Sequence, residues 1–357
     1  MLAWVLLAAS APAGATGGLA GAIRDGDYIT VASLLDAGNA NPDALLPDGS
    51  TPLSWAVESQ DARLVKLLLD AHARPDAATN AAAAPLLLAC EHGDPQVLAL
   101  LLDAPADVQR ARPDGLAPLA LCAGTAPAAI VQRLLDAGAA VDHADAAGQT
   151  ALMHAAAKGR VDTLRVLLAG GADVNRATPK GFTPLFFALK SGVPAAAMAV
   201  LDAGGDPDHV GPDGTTAVQL AMYQQDWAFA ARMIERGADL AARDLNGRTL
   251  LHAAVLADRP ELVKLLLARG AAVDAPTGRP KIEWRFESNF KTGEVEFPPK
   301  TALFLAAEKG RAALIPLLTA AGANRGFRLA DGTGIIEAAK ASGSEAALQA
   351  ATTCCAR

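Results

Sequence analysis

Aromatic residues are scarce in this chain: 4% of 357 residues, against a hydrophobic share of 52%. Alanine and leucine must therefore supply the interior, as thin, closely packed helices require. A basic patch is missing as well. The net charge is −7 and no stripe of Lys or Arg occurs, which excludes nucleic acid as a natural partner. Catalytic signatures are absent: there is no HExxH, phosphate-binding loop, GxSxG or CxxC. The apolar run from Leu2 to Ala9 is too short for a stable membrane span.

What is present is a glycine that returns every 33 residues: Gly115, Gly148, Gly181, Gly214 and Gly247, with Gly49 two periods before Gly115. A second series, Gly138, Gly171, Gly204, Gly237 and Gly270, keeps the same step. Repeats of this length indicate a stacked array of helical units. Residues 148–180 show one unit. Gly148 permits a tight turn, Thr150 stands where a helix is capped, and Ala155, Ala156 and Ala157 keep that helix thin. Val161, Leu164, Val166, Leu167 and Leu168 give a second helix one apolar stripe, and Gly171 fits the left-handed position that closes it. A single unit cannot bury its stripe, whereas stacked neighbours can.

The recurring wording, TPLSWA at 51–56, TALMHA at 150–155, TPLFFA at 183–188, TLLHAA at 249–254 and TALFLA at 301–306, resembles the ankyrin repeat. LLDAG at 134–138, LLAGGAD at 167–173 and MIERGAD at 233–239 supply its second half. The resemblance covers roughly 18–351 as ten units including two caps, and implies an all-α repeat solenoid of stacked helix-turn-helix units with β-turn fingers. Some positions depart from it. His72 and Pro105 stand where a closing glycine is expected, and proline cannot take positive φ, so the turn after Leu102 must differ. Thr319 replaces a leucine.

Residues 1–15, ending Ala13-Gly14-Ala15, read as a signal peptide, although the stretch before the apolar run has no Lys or Arg. That implies a periplasmic or secreted protein, and the alanine-rich composition suggests a bacterial one. Cys90 and Cys122 fall at alanine positions of adjacent first helices. Helices packed about 8–10 Å apart exceed the roughly 4.4–6.8 Å reach of a disulfide, so both are expected as buried, unbridged residues. Cys354 and Cys355 lie in a tail, 352–357, where an intermolecular bridge is one option. His143 and His209 are 66 residues apart, hence at one turn position two units apart, too distant to share a metal. His252 occupies the histidine slot of the motif. No metal, cofactor or catalytic residue is expected.

One segment breaks the period. Thr249 and Thr301 are 52 apart, 33 plus an insertion of 19, and the extra residues fall within 276–300. Ile282, Trp284 and Phe286 alternate with Glu283, Arg285 and Glu287, a strand pattern that Val295 and Phe297 resume after Lys291-Thr292-Gly293. An elongated β-hairpin finger is expected, either docked on the stack or exposed to anchor a partner. The reading is a monomeric, non-enzymatic protein-binding scaffold that binds or assists an exported protein. The alternatives are a secreted effector that binds a host protein and a self-associating structural protein. Candidate contacts are Trp284, Arg285, Phe286, Phe290, Lys291 and Phe297 in the insertion, with Asp114, Asp145, Lys180, Asp213 and Asn246 at other finger tips.

Overall fold

The computed structural model describes residues 18–78, 84–212, 214–278 and 298–355. The expected signal segment and hairpin therefore lie outside the described residues. The chain divides into two compact units, Met1–Asp173 and Val174–Arg357.

The first unit holds five helix pairs: α1 (Leu19–Arg24) and α2 (Tyr28–Asp36), α3 (Pro52–Glu58) and α4 (Ala62–Asp70), α5 (Pro85–His92) and α6 (Pro95–Asp103), α7 (Pro118–Thr125) and α8 (Ala128–Asp136), α9 (Ala151–Ala157) and α10 (Val161–Ala169). The second holds five more: α11 (Pro184–Lys190) and α12 (Pro194–Asp202), α13 (Ala217–Tyr223) and α14 (Trp227–Glu235), α15 (Leu250–Leu256) and α16 (Pro260–Ala268), α17 (Ala302–Glu308) and α18 (Leu314–Ala320), α19 (Ile335–Ala341) and α20 (Glu345–Cys355). Within each unit the first helix of a pair packs on the next first helix, and the second on the next second.

Local chemistry sets the helix ends. Asp27, Asp61, Asp94 and Asp226 each accept from a backbone N–H in the first turn of a second helix, a cap worth about 1 kcal/mol. Thr51, Thr216 and Thr301 do the same for first helices. Thr150 and Thr183 keep the extended N-cap backbone, φ −99 and −97, but their hydroxyls make no capping bond. The apolar stripes meet as the 33-residue pattern requires. Leu64, Leu68, Leu152, Leu164 and Leu167 are fully buried, each contributing about 1.5–3 kcal/mol. The outermost second helices bury far less: α2 only Val31, α20 only Ala347 and Ala351.

The departures resolve individually. His72 takes the left-handed conformation itself, φ +62, while the chain after α6 turns extended at Ala104, φ −92 and ψ 161. Thr319 sits in the core because its hydroxyl bonds back to the Ile315 carbonyl at 3.0 Å. Cys90 and Cys122 correct the expectation: they form a disulfide, with Cα atoms 4.6 Å apart. The interaxial spacing misleads at this contact. The cysteines are 32 residues apart, one short of the period, so they stand on facing flanks of α5 and α7, and alanine-rich helices let the backbones close in.

Between pairs the chain makes fingers, and most of those described are closed by a backbone N–H to carbonyl bond four residues on. Arg112 bonds Leu116, Asp145 bonds Gln149, Thr178 bonds Phe182 and Asp244 bonds Arg248, at 2.9–3.0 Å. Thr277 makes the same bond at 2.9 Å, but to Lys300, 23 residues on. The insertion of 19 thus enters at a finger tip whose base is intact. Lys300 N–H returns a bond to Thr277 Oγ1 at 3.0 Å. Beside it Gly278 N–H reaches the Gly247 carbonyl at 2.6 Å. That approach requires glycine at 247: φ is +70, and a Cβ there would lie 2.5 Å from the Gly278 backbone.

A side-chain ladder stiffens the finger bases. In the first unit the backbone N–H of Arg74, Asp107 and Asp173 donates to Asp43, Asp76 and Asp142, each 31 residues earlier. In the second, Asp206 and Asp239 donate to Asn175 and Asp208. Burial raises the carboxyls of Asp76 and Asp208 above the ordinary range.

Candidate functional site

The first helices carry one phase of partly accessible, mostly apolar side chains, while more exposed large hydrophobic residues, such as Ile29 at 83% and Leu45 at 54%, lie elsewhere. In the first unit Trp55, Leu88, Leu121 and His154 recur at steps of 33 and are half-exposed, between residues that are fully buried. They lie four residues past each N-cap. Trp55 is oriented by its indole N–H, which donates to Ser50 Oγ at 3.1 Å. His154 Nε2 lies 3.4 Å from an Asp145 carboxylate oxygen. In the second unit the same repeat phase is held by Phe187, Leu220 and Ala253. There Phe182 packs at 6.1 Å from Phe187 and 6.2 Å from Phe186 between ring centroids. Val210, in the next finger, is 55% exposed.

The finger-tip candidates take different roles. Asp114 is exposed, its carboxylate accepts from Leu116 N–H at 3.1 Å, and its carbonyl takes Ala146 N–H of the next finger at 2.8 Å. Asp145 points inward, accepting from Ala147 and Gln149 N–H at 2.8 Å, so its carboxylate shapes the turn. Lys180 is exposed, with no ion-pair partner among the described residues. Asn246 is exposed beside Tyr223 and bonds its oxygen. Asp213, Trp284, Arg285, Phe286, Phe290, Lys291 and Phe297 lie outside the described residues.

The histidines resolve into structural parts. His143 and His209 each place Nε2 2.9 Å from a glycine carbonyl 28 residues earlier, Gly115 and Gly181 respectively, and so staple one finger to the one before. His252 receives Thr249 N–H at Nδ1, 3.1 Å, and faces the Lys300 carbonyl through Nε2, 3.2 Å. Burial is the main cause that pushes its pKa down to about 4. Among the described residues no group of three His, Cys, Asp or Glu could hold a metal, and no helix is long and apolar enough to cross a membrane. Cys354 and Cys355 are free thiols with sulfurs 2.6 Å apart.

The second unit also holds a cleft of about 300 Å³ between α13 and α15. Sequence reasoning missed it. Its Tyr223 hydroxyl donates to Asp244 at 2.5 Å, and the Arg259 guanidinium lies 4.7 Å from the Trp227 ring centroid. Reading columns at steps of 33 would have flagged Arg248, which follows Gln149, Phe182 and Thr215 at one phase.

The sequence matches the family described as Ankyrin repeats (3 copies) over residues 19–112, 119–209 and 185–277. The chain belongs to the ankyrin-repeat family, whose repeats are generally protein–protein interaction modules. Among solved structures it is similar to the ankyrin repeat domain of Bcl-3, described as a unique member of the IkappaB protein family. The identity is 29%, with 57% of this chain and 92% of that chain covered and a TM-score of 0.48. No curated protein matches the sequence.

Proposed function

We propose that this chain is a monomeric binding scaffold that works in an oxidising compartment outside the bacterial cytoplasm, holding or assisting an exported protein. The observation that carries the reading is the column of half-exposed Trp55, Leu88 and Leu121 in one unit and Phe187 and Leu220 in the other. Packing between helix pairs does not require bulk there, since Ala253 fills the same phase. Aromatic and long aliphatic side chains ringed by polar finger tips suit partner contact. The Cys90–Cys122 bridge supports the compartment, because disulfides persist where thiols are not kept reduced. The exposed tips at Asp114 in the first unit and at Lys180 and Asn246 in the second add polar groups for such contact.

Crosslinking in native extract tests this, with the intact chain beside a Trp55→Ala/Phe187→Ala double variant. Loss of a captured exported protein in the variant supports the reading. Capture of a host protein would instead make it a secreted effector. Capture only of further copies of itself, with sedimentation that depends on concentration, would make it a self-associating structural protein. Thiol counting on protein drawn from its own cells tests the compartment, since a reduced Cys90–Cys122 pair there would remove it.

A further inference from the structure

We propose that the cleft between α13 and α15 receives a carboxylate-bearing side chain, together with an apolar neighbour, from an acidic peptide segment of a partner protein. This rests on the protein-binding reading and names the chemistry that one part of the surface selects.

The walls supply both halves of that occupant. Met222 and Leu256 give an apolar lining, Trp227 and Tyr223 add rings, and Arg248 and Arg259 add charge. Neither arginine has a carboxylate within ion-pair distance among the described residues. In the same unit Arg232, Arg236, Arg311 and Arg328 pair with Glu235, Asp202, Asp258 and Glu337, while Arg243 and Arg269, also without a carboxylate, donate to backbone carbonyls instead. Arg259 lies over the Trp227 ring, an arrangement that holds the guanidinium plane in place.

The carboxylate already in the wall does not neutralise this pair. Asp244 is 2% exposed. It accepts from the Tyr223 hydroxyl at 2.5 Å and from the Asn246 and Arg248 backbone N–H at 2.8 Å. Three donors thus hold it, one from α13 and two from its own finger. Burial and the same hydrogen bond hold the Tyr223 phenol far above its ordinary range, so it stays neutral. At neutral pH the cleft therefore presents two guanidinium groups against one engaged carboxylate.

The remaining choices narrow on chemistry. A wholly apolar occupant would desolvate Arg248 without replacing its water hydrogen bonds. A bare inorganic anion would leave the apolar lining wet. Nucleic acid would bring many phosphates to a chain of net charge −7 with only this local cation pair. Charges beyond about 8 Å are screened at physiological salt, so a short acidic segment meets mainly Arg248 and Arg259. A space of about 300 Å³ lies at the small end for ligand pockets and suits one or two side chains rather than a cofactor.

The test uses the intact chain and fluorescence anisotropy with labelled eight-residue peptides. One set places Glu or Asp beside Leu or Phe, a second replaces each acid by its amide, and a third is basic. A dT12 oligonucleotide is run alongside. The proposal expects binding confined to the acidic–apolar set, at least tenfold weaker in Arg248→Ala and in Arg259→Ala, and weakened by salt. Among the described residues the Arg248 side chain makes no hydrogen bond or ion pair, so Arg248→Ala should keep the parent melting temperature. Equal binding of acid and amide peptides, or indifference to both arginine variants, overturns the proposal. Peptides that bind regardless of Arg248→Ala yet are lost with Phe187→Ala overturn it while leaving the protein-binding reading intact. Binding of no peptide overturns this proposal and leaves the protein-binding reading to the crosslinking test, whereas binding of dT12 alone overturns both.

Discussion

His252 should make the second unit acid-sensitive in a window that one substitution removes. The ring is 1% exposed. Its Nδ1 accepts Thr249 N–H, which leaves the proton on Nε2 facing the Lys300 carbonyl. A second proton would set N–H against N–H, and burial already opposes the charge. The folded pKa is about 4, against about 6.5 for an unfolded histidine. Between these values the unfolded chain binds a proton that the folded chain does not, so stability rises with pH there. The contribution is full above pH 6.5 and lost as pH falls toward 4. It amounts to about 3 kcal/mol. Gln219, one period earlier, does the same structural work without titrating: Thr216 N–H donates to its Oε1 at 2.9 Å. His252→Gln should therefore cost only about 1 kcal/mol at pH 7.5 and flatten the slope between pH 6.5 and 4. Urea unfolding by circular dichroism, with hydrogen exchange at α15 amides, reads the difference. Asp76 and Asp208, raised by burial, work the other way, since folding that disfavours their charge is relieved as pH falls. They are common to both proteins and cancel. Equal pH profiles for parent and His252→Gln would refute the reasoning.

The disulfide closes a loop of 32 residues, so Cys90→Ala/Cys122→Ala should lower first-unit stability by about 3–4 kcal/mol, read as a lower melting temperature that reductant no longer changes. Gly247→Ala should lose about 2–3 kcal/mol, because its Cβ would meet the Gly278 backbone at 2.5 Å on top of the left-handed strain. Gly171→Ala, with φ +87 and open space around it, should lose only about 1 kcal/mol; comparable losses at both sites would argue against the close approach. The Cys355 thiol, pushed up to about 12 by burial and by Cys354 beside it, should alkylate far more slowly at pH 7.5 than an exposed thiol, as mass spectrometry of timed iodoacetamide reactions would show.

How legible the molecule was in its sequence depended on whether a feature repeats. Leu164 and Leu167 fall on one stripe, and their burial follows from helical spacing and from stacking alone. Gly171 had to be left-handed for the same reason, and it is, at φ +87. Pro105 signalled an altered turn because proline denies the geometry its neighbours use, and the extended Ala104 is the result. The disulfide escaped because the period hides a one-residue offset: Cys90 and Cys122 are not equivalent positions, and only non-equivalent positions face across the seam. The cleft escaped for a related reason. Tyr223, Arg248 and Arg259 sit at three different phases, so no single column announces them. Asp145 shows what a tip position leaves unsaid: a short carboxylate beside the Ala147 and Gln149 N–H groups bonds both and shapes the turn.

The two expectations for the insertion, docked on the stack or exposed to a partner, differ in the sign of one stability change. The finger base is complete without the inserted residues. Thr277 and Lys300 exchange two bonds, His252 faces the Lys300 carbonyl, and the Lys300 ammonium reaches Glu308 at 2.5 Å. Replacing residues 278–299 by Leu-Asn-Gly, the tip at 245–247, restores the four-residue closure of the other fingers. Shortening a closed loop from 22 residues to three removes about 1–2 kcal/mol of closure entropy. If the insertion makes no net packing contribution, the shortened variant should gain that amount at α15 and α17 by hydrogen exchange. A docked insertion contributes the burial of its apolar side chains, each about 1.5–3 kcal/mol, which outweighs the entropy and reverses the sign. We expect the gain, because the bonds at the base account for the geometry of both ends. A loss of several kcal/mol would refute that expectation and make the insertion a cover for the stack.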